Sequence, residues 1–178
     1  MLTTNNLVFK GLKIVAWIIF VGLCIEAGGL LVNFIFSIVN PEMVDNLYQK
    51  LDLSEMYNRS KWAFFSMYSF ILFIAFLKAY LFYIVVKLVT QINLSKPFNK
   101  FTSREISKIS YFTFSIGLLS QIALRISLKL KYYEINTDTV NEFYADSKAF
   151  ILMSAVIYVI AIIFAKGVEF QEEIEEIV

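Results

Sequence analysis

The chain has no histidine, one cysteine, two prolines and six glycines in 178 residues. Without histidine, a bis-histidine haem, a histidine-ligated zinc or copper site and a Ser-His or Cys-His catalytic pair all lack their essential ligand or base. The single cysteine, Cys24, rules out an intramolecular disulfide and leaves the redox compartment unreadable from cysteines. A Gly-rich phosphate loop, a His-Glu-x-x-His run, a paired Cys motif and a nucleophile elbow are also missing, and no internal repeat is visible. Asn58-Arg59-Ser60 matches the glycosylation sequon, but three residues carry no information without a secretory eukaryotic context. Nor is there an excess of charge of one sign. With 16 basic and 15 acidic residues the formal net charge is +1, so nothing points to direct nucleic-acid binding. No cofactor or metal is implied, and nothing at suitable spacing argues for the Ser-Lys or carboxylate arrangement that an enzyme without histidine would need.

What the chain does have is apolar surface. Hydrophobic residues make up 58% of it, including 18 Phe and 10 Tyr, and the mean hydropathy is +0.66. A soluble domain of this length could not hide so much. Lipid offers the backbone no hydrogen-bond partners, so apolar runs of about 20 residues are read as helices. Four are present, at about 12–39, 62–89, 109–130 and 149–165. The expected fold is all-α, an integral membrane four-helix bundle forming one domain over residues 1–178. The third run is the least apolar because it carries Gln121 and Arg125.

Basic residues set the orientation. Lys10 and Lys13 precede the first run, and Lys87, Lys96, Lys100, Arg104 and Lys108 lie in or beside the 90–108 connection. The other two connections carry Glu42, Asp45, Asp52, Glu55, Glu134, Asp138, Glu142 and Asp146. The positive-inside rule puts both termini and the middle connection in the cytoplasm. Trp17, Trp62, Tyr111, Tyr132 and Tyr133 near the span ends fit interfacial anchoring. The run from Ile14 to Val39 is too long for a signal h-region and ends without a cleavage site, so it reads as a retained anchor.

Each connection has its own pattern. In "NPEMVDNLYQKL", Asn40 and Pro41 suit a helix start, and Met43, Val44, Leu47, Tyr48 and Leu51 fall on one face, which predicts a short outer amphipathic segment over 41–51. In the cytoplasmic connection, Pro97 ends whatever precedes it, and Thr102 with Glu105 forms a capping box expected to start the third helix. The last helix is expected to continue past Lys166 through an acidic end, 166–178, with glutamates at 169, 172, 173, 175 and 176. That end is either a solvated helix terminus paired with the basic connection or a handle for a partner.

Three charges lie inside the runs: Glu26, Lys78 and Arg125. A charge at mid-bilayer costs roughly 2.5 to 3.5 kcal/mol on insertion scales, so such groups face the bundle interior and pair. At about 1.5 Å per residue, Glu26 stands roughly 20 Å above Lys13, Lys78 roughly 14 Å above Lys87 and Arg125 roughly 26 Å above Lys108. These depths predict a cluster of Glu26, Lys78, Arg125 and Gln121, with Glu26 either in a structural ion pair or carrying protons. Gly22, Ala27, Gly28 and Gly29 are expected to let a neighbouring helix come close. A lone carboxylate in the first of four helices resembles the small multidrug resistance transporters. This chain departs from them in its length, its long connections and the lysine placed to neutralise that carboxylate.

Two stretches carry a second resemblance. "KPFNKFTSREISKIS", with Pro97-Phe98 followed by Arg104 and Ile109, and "IFAKGVEFQEE", with Gly167, Gln171 and Glu173, resemble an uncharacterised bacterial family of four-helix membrane proteins. In that family a Pro-Phe loop opens the third helix and the chain ends in a Gly-x-x-Leu-Gln-x-Glu-x-Asp-Leu-Thr-Val tail. Here Phe170 replaces the leucine and "EEIV" the final four residues. The resemblance implies a bacterial inner-membrane protein encoded beside a helix-turn-helix regulator, and it brings no catalytic residue. The expectation is therefore a non-enzymatic protein that acts through a partner, regulating a cytoplasmic transcription factor or serving as an accessory subunit. Contacts to that partner or to lipid are expected at Pro97, Phe98, Lys100, Arg104, Lys108, Gly167, Gln171, Glu172 and Glu173. Membrane lipids and a second copy of the chain are the other expected neighbours, and a small transporter or ion pathway centred on Glu26 is the alternative.

Overall fold

A computed structural model describes residues 2–39, 53–94, 96–133 and 135–177, without the side chains of 2–6, 139, 142 and 175–177. The segment 41–51, expected to be an amphipathic helix, lies outside the described residues. Four long helices dominate: α1 (Leu2–Val39), α3 (Lys61–Gln91), α4 (Lys100–Tyr132) and α6 (Ser147–Ile177). Two short ones, α2 (Ser54–Arg59) and α5 (Asp138–Tyr144), sit in the connections. All four long helices are long and apolar enough to cross a membrane, so the chain is a multi-pass membrane protein of all-α class. A helix of 31 residues such as α3 spans about 46 Å, well beyond a hydrocarbon core of roughly 30 Å. Each therefore runs on outside the lipid at one end or both.

The starts of α3 and α4 have local causes. Ser60 caps α3 by accepting from the Ala63 N–H at 3.3 Å. α4 starts at Lys100 because Asn99 Oδ1 accepts the Thr102 N–H at 2.9 Å. The expected capping box is thus displaced by one turn. Asn99 fills the cap position, and Glu105, which would have reached back to it, is drawn inward by cations.

The helices pack in chain order: α1 against α3, α3 against α4, and α4 against α6. α1 meets α3 through Ala16, Phe20, Leu23, Ala27, Leu30, Phe34 and Ser37, buried or half-buried at alternating steps of three and four residues. That is the 3.5-residue seam of a coiled coil. Tyr68 closes it by donating its phenol to the Leu30 carbonyl at 3.0 Å. The expected close approach along the α1 glycines is not used, since a Cβ on Gly22, Gly28 or Gly29 would meet nothing within 4 Å. The small residues in the seam are Ala16, Ala27 and Ser37.

α4 has neighbours on two sides, and several of its polar side chains are spent on α6. Towards α6, Ser110 donates to the Ser154 carbonyl at 3.0 Å and Gln121 accepts from Ser147 at 3.0 Å. Between them Gly117 lies against the backbone of α6, where a Cβ would stand 2.9 Å from the Ile151 nitrogen and 2.7 Å from its Cγ1. α6 answers with Ser147, Ser154, Ala161 and Val168, buried at every seventh residue. Small side chains of this kind let helix backbones approach where lipid gives no hydrophobic drive to associate.

The end carrying the N-terminus, the 92–99 connection and the α6 C-terminus is called proximal below, and the end with α2 and α5 distal. The densest core is distal. Leu53, Met56, Tyr57, Phe64, Met67, Tyr68, Ile135, Val140 and Tyr144 are all buried there, with Tyr57 edge-on to Phe64 at 5.0 Å. Tyr144 donates to the Met67 carbonyl at 3.1 Å, and burial pushes its phenol up, so it remains a donor. Asn141 accepts from Ser127 at 2.7 Å, tying α5 to α4.

Gly117→Ala should force α4 and α6 apart and cost about 1 to 3 kcal/mol, whereas Gly29→Ala, facing open space, should be neutral or slightly stabilising. Thermal melts of both variants in one detergent decide this. Equal melting temperatures would mean that Gly117 is not the contact point.

Candidate functional site

The proximal end gathers most of the residues that the sequence singles out. Its centre is Glu105, whose side chain is 1% exposed. Three cations reach its Oε1: Lys108 Nζ at 3.2 Å, Lys87 Nζ at 3.3 Å and Arg104 Nε at 3.6 Å. A buried carboxylate without cations would carry an uncompensated desolvation cost. Here Lys87 from the end of α3 and Lys108 from the first turns of α4 hold it, so one carboxylate clamps the two helices that flank the 92–99 connection. The Lys87 ammonium also lies 5.4 Å from the Phe101 ring. One turn before Glu105, the Thr102 hydroxyl is buried with no hydrogen-bond partner among the described residues.

A second attachment fixes the other side of the connection. The Phe98 ring packs over Gly167, where a Cβ would overlap it, and sits 5.1 Å from the Phe164 ring. Two stretches far apart in sequence, Pro97-Phe98 and Gly167, thus meet directly. Lys100 pairs with Glu172 at 2.8 Å, and Lys166 with Glu169 at 2.7 Å on the same helix. The acidic end of α6 is therefore partly satisfied within the chain. Both pairs are exposed to solvent and add little to stability. Gln171 is half-buried and engaged in a contact, and Glu173 is exposed. Arg104, 64% exposed, and Lys100 project from the start of α4.

The intramembrane charges are distributed differently. Lys13 Nζ donates to the Thr90 carbonyl at 3.3 Å, which puts the start of α1 level with the end of α3. Counted from that level, Glu26 stands roughly 20 Å up and Lys78 roughly 18 Å up. They share a depth, but no ion pair joins them. Glu26 is exposed on the flank of α1. Lys78 lies over the Phe143 ring at 4.9 Å and near Phe150 at 5.7 Å, with the charges of Glu26 and Asp146 acting on it from farther away. Arg125 is exposed on α4, roughly 30 Å from Glu105 along the helix, and so well above Lys78. Gln121 bonds to Ser147. The structure therefore brings Glu26 and Lys78 to one level and leaves Arg125 and Gln121 elsewhere.

Glu105 is the residue that sequence reading missed as a centre. Its signal was the density of lysine and arginine around one carboxylate at 87, 104 and 108. Among the described residues no group of three or more His, Cys, Asp or Glu side chains could hold a metal ion.

Glu105→Ala should cost about 2 kcal/mol, less than a fully buried pair because Lys87 and Lys108 keep partial access to water. Lys100→Ala, in an exposed pair, should leave the melting temperature unchanged. If Glu105→Ala melts with the parent protein, the carboxylate does not clamp the two helices.

A family model described as Protein of unknown function (DUF2975) matches residues 48–178, well over half of the chain. No curated protein and no solved structure matches it.

Proposed function

The chain belongs to this family of proteins of unknown function, DUF2975, and on that premise we propose that it is a non-enzymatic membrane protein that acts through a protein partner docked on its proximal end. The observation that carries this reading is the anchoring of the 92–99 connection, clamped by Glu105 on one side and by Phe98 on Gly167 on the other. The start of α4, held by these two contacts, presents Lys100 and Arg104 in fixed positions, and preorganised contacts bind without a large ordering cost. The positive-inside rule makes this end cytoplasmic. In a bacterial inner membrane the partner is then a cytoplasmic regulator or a subunit of a larger membrane complex. It meets a basic surface at the start of α4 and an acidic one at Glu169, Glu172 and Glu173 on α6.

The test is recovery of copurifying protein from native membranes in mild detergent. Lys100→Glu changes an exposed side chain and leaves Lys87, Arg104 and Lys108 on Glu105, so insertion and folding persist while partner recovery falls at least about tenfold. Undiminished recovery would overturn the docking site, and a protein that purifies alone would overturn the partner reading.

A second reading, a proton or ion pathway, rests on one observation. Glu26 is exposed, with no ion pair among the described residues, in a helix long and apolar enough to span the membrane, at the depth of Lys78. On this reading Glu26→Gln abolishes flux in proteoliposomes at unchanged melting temperature. If flux is absent in the parent protein or unaffected by the substitution, the pathway is excluded.

A further inference from the structure

At the proximal end, α1 and α3 do not close on each other completely. A cleft of about 500 Å³ remains, with Phe9, Lys10 and Lys13 from α1 on one side and Val89, Ile92, Asn93 and Leu94 from the end of α3 and the following turn on the other. Its chemistry is two-sided. Lys10 and Lys13 bring two positive charges, no carboxylate lines the space among the described residues, and Phe9, Val89, Ile92 and Leu94 are apolar. Lys13 is held in place by its bond to the Thr90 carbonyl, which uses one of the three donors of its ammonium. Lys10, three residues earlier on the same helix, is exposed.

Position narrows the ligand further. The Lys13–Thr90 contact lies where the apolar runs of α1 and α3 begin and end, which is the headgroup level of a membrane. Beyond it α1 exposes Val15, Ile18 and Ile19, an apolar face along which acyl chains can lie. Cations at the boundary, an apolar wall behind them and a lipid-facing helix beyond match an amphiphile with an anionic head. A soluble anion would have no use for the apolar wall, and a zwitterionic lipid would bring its own cation next to the two lysines.

We propose that this cleft binds the phosphate-bearing headgroup of an anionic phospholipid, with Lys10 and Lys13 as its cationic contacts. The site shares no residue with the docking surface at Lys100 and Arg104, so the two proposals fail independently. Basic residues at a membrane surface each contribute favourably to anionic lipid binding, and two of them predict a preference for phosphatidylglycerol over phosphatidylcholine on the order of tenfold.

The full chain, purified and stripped of lipid in detergent, is titrated with each lipid and the bound lipid counted by native mass spectrometry. The expected result is retention of phosphatidylglycerol over phosphatidylcholine by about tenfold, lost in Lys10→Gln/Lys13→Gln and kept in Lys100→Gln/Arg104→Gln. Because Lys13 also contacts Thr90, Leu94→Glu provides a second variant. It places a carboxylate at an exposed position in the cleft and should abolish the preference without touching either lysine. Equal retention of the two lipids, or a preference that survives both cleft variants, overturns the proposal. Displacement of phosphatidylglycerol by millimolar inorganic phosphate overturns the lipid assignment in favour of a free-anion site.

Discussion

A carboxylate removed from water must be given cations in its place, and Glu105 receives them from two helices at once. Lys87 comes from the end of α3, and Lys108 with Arg104 from the start of α4. Because these residues flank the connection, closing the ionic contact also fixes where the connection runs. Phe98 then lands on Gly167, and α6 is drawn alongside α4. The seam farther up, with Ser110 on Ser154, Gly117 on Ile151 and Gln121 on Ser147, continues the same alignment. One buried charge thus joins α3 to α4, and the small residues of α4 and α6 hold α6 against α4.

The serial packing has consequences for surface. α1 touches the rest mainly through α3, and α6 mainly through α4. Each therefore leaves much of its apolar circumference uncovered, with Ile18, Val21 and Ile25 on α1 and Leu152, Val156 and Val159 on α6 among the exposed side chains. In lipid this surface is solvated rather than hidden, so it costs nothing of the kind it would cost in water. The distal end is different. There α2 and α5 fold over the helices and the core becomes as aromatic and closed as that of a soluble domain, as befits helices that outrun the hydrocarbon thickness.

The class of the protein was legible because lipid tolerates few solutions. Four apolar runs of sufficient length had to be helices, because lipid offers the backbone no other partners. The individual contacts were less legible, for particular reasons. α1 is apolar all round, so no apolar periodicity marks the seam from Ala16 to Ser37. Its glycines drew attention, yet they face open space. On α6 the spacing of Ser147, Ser154 and Ala161 was visible but carried no weight without knowing which face met α4. At the start of α4, Asn99 three residues before Thr102 and Thr102 three residues before Glu105 are both valid caps, and a local pattern has no means of ranking them.

Sequence alone determined the spanning helices, their order and the basic bias of one end, because these follow from local hydropathy and charge. Only the tertiary structure decided which charges meet. Glu26 and Lys78 share a depth but not a contact, since Lys78 is held over Phe143 and Phe150. Glu105 collects the cations instead. Ion pairing acts over a few ångströms and depends on which face of each helix is turned inward, and helix rotation is fixed by packing against a neighbour that the local sequence does not contain.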